Sequence, residues 1–404
     1  MMMTVVAVLA QDARADAPPP KQLTEHEAIA GALARSPLAD AIEGTILTEQ
    51  GRADAARAYP NPELSYAREQ TFGTAGTSEN YIAVSQTIDV ARRRHLRGEA
   101  GDLRAQAARR DGDTTRLSIA ASVRQRFYDV LFRQQRVAAL QRWVAHIGEA
   151  LVIVTRREQR GDAATYDRKR LEREQAVSNG RLATEQAELT RAGARLRAVL
   201  GASESSSLAT GVLLPDTDPA DGETLRAAAA SRPDFVALDL LVRASSLDRS
   251  AAARWWLPDL RLEVGWKGVG LGVSERTDGY LAGASLAIPL WDRSSGLNRI
   301  AEGEARAARG RRALLASELA GELAGAREEA VSLRRAAADF RKQTGSGDLV
   351  RMATLGYEAG ELGVIELLDA YRGAAEDEAT ALDMELAARR ARIDLDRLTG
   401  AKLP

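Results

Sequence analysis

Apolar and polar residues alternate strictly in one short stretch of this chain, "PDLRLEVGWKG" at residues 258–268. Leu260, Leu262, Val264 and Trp266 interleave with Arg261, Glu263, Gly265 and Lys267. A period of two places the first set on one face of a β-strand and the second on the other. A partner strand follows in "YLAGASLAIPLW", where Tyr280, Ala282, Ala284, Leu286, Ile288 and Leu290 share a face. Residues 268–279, rich in Gly, Ser and Thr, read as the connection between the two. The arrangement occurs once earlier, as "ELSYARE", the loop "QTFGTAGTSEN" and "YIAVSQTIDV", with residues 70–80 as the connection. Two hairpins, four strands in all, are predicted.

Elsewhere the patterning is helical. Proline, which breaks helix interiors, is absent from residues 63–214 and again from 290–403. After each hairpin a long helical tract is expected, over 95–160 and 295–345; about 60 helical residues would reach about 90 Å. A second helix follows in each case, over 163–200 and 362–399. The turns between contain Gly161-Asp162 and Gly360-Glu361, and glycine leaves the right-handed helical region at little cost. The punctuation itself repeats. Pro37 and Pro62 are separated as Pro233 and Pro258 are, at an offset of 196 residues (233 − 37). Each pair brackets a helix that leads into Pro-Glu-Leu or Pro-Asp-Leu and then a strand. This implies a duplicated unit: a first repeat over 18–212, a linker "LLPDTDPADGETL" at 213–225, and a second repeat over 226–404.

Composition changes this picture in three ways. Lys and Arg number 56 against 57 Asp and Glu, so bulk charge gives no argument for nucleic acid as a partner. Aromatics make up only 4% while charged residues make up 28%, which suits long helices packed through small residues. There is no cysteine, which excludes disulfides, thiol nucleophiles and thiolate metal sites. The opening "MMMTVVAVLAQDARADAPPP" carries a short apolar run and then Ala-x-Ala steps. Residues 1–17 therefore read as a secretory signal cleaved after Ala15 or Ala17, although the usual preceding basic residues are missing. No run of 18 consecutive apolar residues occurs, so any crossing of a membrane must use strands. Four strands cannot close a barrel, and an open sheet leaves unpaired edges in lipid. The expected fold is mainly α with a small β part. Several copies of the chain share one membrane barrel, with Leu260, Leu262, Val264 and Trp266 facing lipid, and long helices extend it.

The stretch "YEAGELGVIELLDAYRGAAEDEATALDMELAARRARIDLDRLTG", residues 357–400, resembles the outer membrane factor (TolC-like) family of efflux and secretion ducts. It has Tyr-x-x-Gly six residues ahead of an acidic-x-x-Asp-Ala core. Residues 160–201 are a weaker first-half counterpart, and the similarity covers nearly the whole chain after the leader. "YPNPELSY" and "SQTIDVARRRHLRGEA" resemble the strand-flanking segments of the heavy-metal efflux (CzcC-like) branch. The resemblance implies a homotrimer with four strands per chain in a membrane β-barrel, an α-helical barrel crossing the periplasm, and loops 70–80 and 268–279 outside. It implies that the turns at Gly161, Asp162, Gly360 and Glu361 meet a periplasmic membrane-fusion adaptor, itself joined to an inner-membrane pump of the RND type. It further implies that Glu366 and Asp369 ring a narrow periplasmic aperture, with Tyr357 and Asp167 in the network that holds it closed. Leu362 stands where the family often has an arginine, so closure must rest on other contacts.

The chemistry left open by the residues is that of a conduit. His26, His95 and His146 are isolated, and no His/Asp/Glu cluster has ligand spacing. No GxxxxGK[ST] phosphate loop occurs, and no nucleophile–base pair can be nominated. No enzyme activity and no cofactor are expected. The leading expectation is a passive outer membrane exit duct for small solutes, including metal cations. A duct for protein secretion and a soluble periplasmic coiled-coil scaffold are the alternatives.

Overall fold

The computed structural model describes residues 22–73, 76–201, 208–271, 275–344 and 348–400. The leader assigned to residues 1–17 lies outside the described residues. The first half runs β1 (Gln22–Leu23), α1 (Glu25–Leu33), α2 (Ser36–Arg57), β2 (Glu63–Gln70), β3 (Thr77–Ile88), α3 (Arg93–Gln159), α4 (Thr165–Leu200) and β4 (Leu208–Ala209). The second runs α5 (Gly222–Ala230), α6 (Pro233–Ala253), β5 (Leu260–Leu271), β6 (Glu275–Leu286), α7 (Ser295–Thr344), α8 (Asp348–Ala359) and α9 (Val364–Thr399). Pro37 and Pro233 sit in the first turns of α2 and α6, where the missing N–H would be unpaired in any case. The Asp221 carboxylate caps α5 by accepting from the N–H groups of Glu223 and Thr224. A reciprocal Thr24–Glu27 pair starts α1.

Two compact units form, each drawing on both halves of the sequence. The first comprises the described residues of 1–32, 123–214 and 337–386. Its core is Trp143, Ile147, Ala150 and Val154 of α3, Leu171 of α4, Ala353 and Tyr357 of α8, and Val364, Leu367, Leu368 and Tyr371 of α9. The Trp143 indole N–H donates to the Ser178 hydroxyl at 2.7 Å, and Tyr371 meets that indole edge-on. By length and composition α3 contains one window able to cross a membrane; Trp143, Ile147, Ala150 and Val154 of this helix are buried in the core.

The second unit comprises the described residues of 33–122, 215–336 and 387–404. Here Phe235 of α6, Leu319 and Leu323 of α7, and Leu395 and Leu398 of α9 form one cluster. α2 packs closely on α3: a Cβ on Gly101 would stand 2.6 Å from Ala53, and one on Gly112 would stand 2.6 Å from Ile42. Alanine normally stabilises a helix relative to glycine, yet Gly101→Ala should lower stability, by about 1–3 kcal/mol, because backbone blocks the added methyl. A thermal melt checks the sign. The segment 213–225 is held against α7 and leads into α5. Asp218 pairs with Arg334 at 2.5 Å, Arg327 donates to the Ala220 carbonyl, and α5 begins at Gly222.

The four longer strands form one antiparallel sheet in the order β2-β3-β5-β6. β3 pairs with β5 along its full length, so the two expected hairpins fuse. The hairpin connections are much shorter than the composition suggested. Strand pairing continues through Leu271 and resumes at Glu275, and β3 already starts at Thr77. Most of 268–279 and the end of 70–80 are therefore strand, since main-chain ladders accept glycine and small polar residues when both sides pair. β6 ends at Leu286, short of the expected Leu290; beyond it the Leu290 N–H donates to the Ile288 carbonyl at 3.0 Å, and Pro289 between them has no N–H to give a ladder.

Candidate functional site

The register sorts the sheet into two chemically distinct faces. On one face the cross-strand rows are Ile88–Leu260–Leu286, Gln86–Leu262–Ala284, Leu64–Val84–Val264–Ala282 and Tyr66–Ile82–Trp266–Tyr280. Leu260, Leu262, Val264 and Trp266 thus share a face as the alternation required. Within the chain that face is bare: Val264 is 64% exposed and Tyr280 88%. From Leu260 to Trp266 it extends about 20 Å along the strand. The other face carries ion pairs. Arg261 bonds Glu63, Lys267 pairs with Glu79 at 2.7 Å, and its ammonium lies 5.0 Å from the Tyr81 ring centre. β2 and β6 are the edges, and neither has a further strand partner among the described residues. The sheet thus has one apolar face, one charged face and two open edges.

The second candidate region lies in the first unit, at the turns α3–α4 and α8–α9. Gly161 and Gly360 adopt φ of +83° and +81°, a backbone region that favours glycine. At the first turn the Asp162 N–H donates to the Arg157 carbonyl (2.8 Å) and the Gly161 N–H to that of Glu158 (2.9 Å). At the second, Glu361 donates to Gly356 (2.8 Å) and Gly360 to Tyr357 (3.1 Å). The same six-to-one and five-to-two pattern closes both helices, so the repeated punctuation corresponds to repeated geometry.

The two turns are tied together by a residue that motif reasoning missed. Arg157 donates to the Tyr357 carbonyl at 2.7 Å and lays its guanidinium 5.1 Å from the Tyr357 ring centre. Tyr357 is buried. Burial pushes its phenol above the ordinary value, Arg157 opposes that shift and Asp167 adds to it; the phenol stays neutral. Arg157 is the cation that contacts Tyr357 directly. Leu362 contributes no charge but lies against Gly356, where a Cβ would be 2.9 Å from its Cδ1.

Glu366 and Asp369 point away from this cluster. Both are exposed on the side of α9 opposite the buried Leu367 and Leu368, one turn apart. Neither takes part in an ion pair among the described residues. Three residues beyond Asp369, Arg372 pairs with the buried Glu174 of α4. Among the described residues no group of three or more His, Asp and Glu converges to hold a metal ion.

This is the fold of the TolC-like outer membrane factors, and the resemblance read from residues 357–400 is borne out by comparison in sequence and in structure. The cobalt-zinc-cadmium resistance protein CzcC of Cupriavidus metallidurans is 27% identical over 344 residues, covering 82% of this chain and 78% of that protein. The nickel-cobalt-cadmium resistance protein NccC of Alcaligenes xylosoxydans xylosoxydans is 26% identical over 309 residues, covering 72% and 67%. No family model matches the chain. Among solved structures, CusC superposes with a TM-score of 0.75 at 17% identity, covering 94% of this chain and 92% of that one. The outer-membrane channel OprN gives 0.71 at 19%, covering 94% and 90%. The outer membrane protein VceC of Vibrio cholerae gives 0.71 at 15%, covering 93% and 96%.

Proposed function

We propose that this chain is the outer membrane exit duct of a tripartite efflux system. It sits in the outer membrane with a large periplasmic part. It passes metal cations from an inner-membrane pump of the RND type, through a periplasmic adaptor, to the outside, and catalyses no reaction. The observation that carries this reading is the sheet with a bare apolar face and two unpartnered edges. Hydrocarbon tolerates neither an open edge nor an unpaired main-chain group, so three copies contribute four strands each to one closed cylinder. The metal-resistance names of the sequence relatives favour cations over protein as cargo. Purified from outer membranes, the chain should run as a trimer in mild detergent and as a monomer after SDS and heat. Recovery as a soluble periplasmic monomer would refute the duct.

In this reading the two glycine turns form the periplasmic tip, and the adaptor's helical hairpin rests against Gly161, Asp162, Gly360 and Glu361. Exposed carboxylates of Glu366 and Asp369 from three chains ring the aperture and favour cations over anions. The Tyr357–Arg157–Asp167 cluster behind them holds the tip in shape. Replacing Glu366 and Asp369 together by alanine should raise single-channel conductance in planar bilayers and weaken block by divalent cations. Selectivity identical to the parent would place these carboxylates away from the constriction.

A further inference from the structure

The apolar face of the sheet does not end in solvent at random; its upper border is organised. The Tyr66 hydroxyl donates to the Asn80 side-chain oxygen at 3.1 Å, one cross-strand row nearer the hairpin loops. The Trp266 ring leans the same way, over Gly268, where a Cβ would be 2.4 Å from the indole. Both aromatics thus keep an apolar body in the greasy rows and turn toward the polar ones, as belt aromatics do at a headgroup boundary. Beyond that boundary, on the same face, lie the rows Arg68–Asn80–Gly268–Asp278 and Gln70–Ser78–Gly270–Arg276. Arg276 stacks 5.8 Å from the Trp266 ring centre and stands 4.0 Å from Asp278. Arg68 is exposed and makes no ion pair among the described residues.

We propose that Arg68 and Arg276 form a docking surface for the phosphate of anionic lipid headgroups at the loop end of the barrel. This rests on the reading that the apolar face meets lipid. An arginine one or two rows past the aromatic row cannot remain in hydrocarbon and extends to the headgroup layer. There a guanidinium presents a planar fork that matches phosphate. Trp266 holds the Arg276 stem over the boundary. Arg68 on β2 and Arg276 on β6 stand on the two edge strands of the sheet, so each arginine meets its own headgroup.

The test uses the full chain in vesicles of phosphatidylcholine alone or mixed with phosphatidylglycerol, followed by mild extraction and native mass spectrometry of retained lipid. Phosphatidylglycerol should be enriched over its share of the vesicle, by about fivefold per arginine. Arg68→Gln with Arg276→Gln should reduce retention to the vesicle composition, whereas Arg261→Gln on the opposite face should leave it unchanged. Excess inorganic phosphate should not displace the lipid; displacement would assign the pair to a soluble anion and overturn the headgroup reading. Unaltered enrichment in the double variant would also overturn it. A chain that floats with vesicles but enriches no anionic lipid refutes this proposal alone, while a chain that fails to float refutes the membrane reading beneath it.

Discussion

In the proposed trimeric duct, Val264→Arg should abolish assembly in the outer membrane. Val264 lies in the row Leu64–Val84–Val264–Ala282, the only fully apolar four-residue row of the described sheet. An arginine on the lipid side near mid-bilayer costs about 2–4 kcal/mol, and a trimer would carry three. The summed penalty is comparable to the whole stability of an ordinary domain. Glu263→Arg is the control, one residue away on the opposite face, where a charge faces water. Heat-modifiable trimer should disappear for the first variant and persist for the second. Equal trimer yields for the two would mean that the apolar face does not meet lipid.

In the proposed duct, Arg157→Gln should produce the second largest effect, on the aperture rather than on assembly. The guanidinium makes both a charged hydrogen bond to the Tyr357 carbonyl and a ring contact across the two turns. A hydrogen bond from a charged donor to a partly buried acceptor is worth about 2 kcal/mol. That energy shifts a closed–open equilibrium roughly 30-fold. Open probability in planar bilayers should rise accordingly, while trimer yield stays at the parental level, because Arg157 lies outside the sheet. Arg157→Lys keeps the charge but loses the planar fork and should recover only part of the closed state. An unchanged open probability in both variants would remove Arg157 from the closing network.

Much of this architecture was legible in the residues, and for identifiable reasons. The alternation over 260–266 survives as a true face because side-chain period is a local property of the strand. The helix starts at Pro37 and Pro233 and the turns at Gly161 and Gly360 were readable because proline and glycine restrict or release φ without help from distant contacts. The strand limits were misjudged at Gly268, Val269 and Gly270. Whether such residues pair depends on the strand opposite them, and Ser78, Glu79 and Asn80 supply the partners. The fusion of two hairpins through β3 and β5 was hidden for the same reason. In the turn region, Tyr357 and Asp167 were visible through the family pattern, whereas Arg157 belongs to no motif. It becomes relevant only because α3 ends beside the end of α8.

By itself, then, the order of residues determined where the four longer strands and the long helices lie, where the chain reverses, and which strand face is greasy. Each of these follows from backbone restriction and short-period patterning within a few residues. Only the tertiary structure decided that residues 200 positions apart, Arg157 and Tyr357, form one contact. It also decided that Tyr66, Trp266 and Tyr280 line up in a single row. Such pairings depend on loop closure and on packing between distant segments, and no local preference encodes which distant partner will arrive.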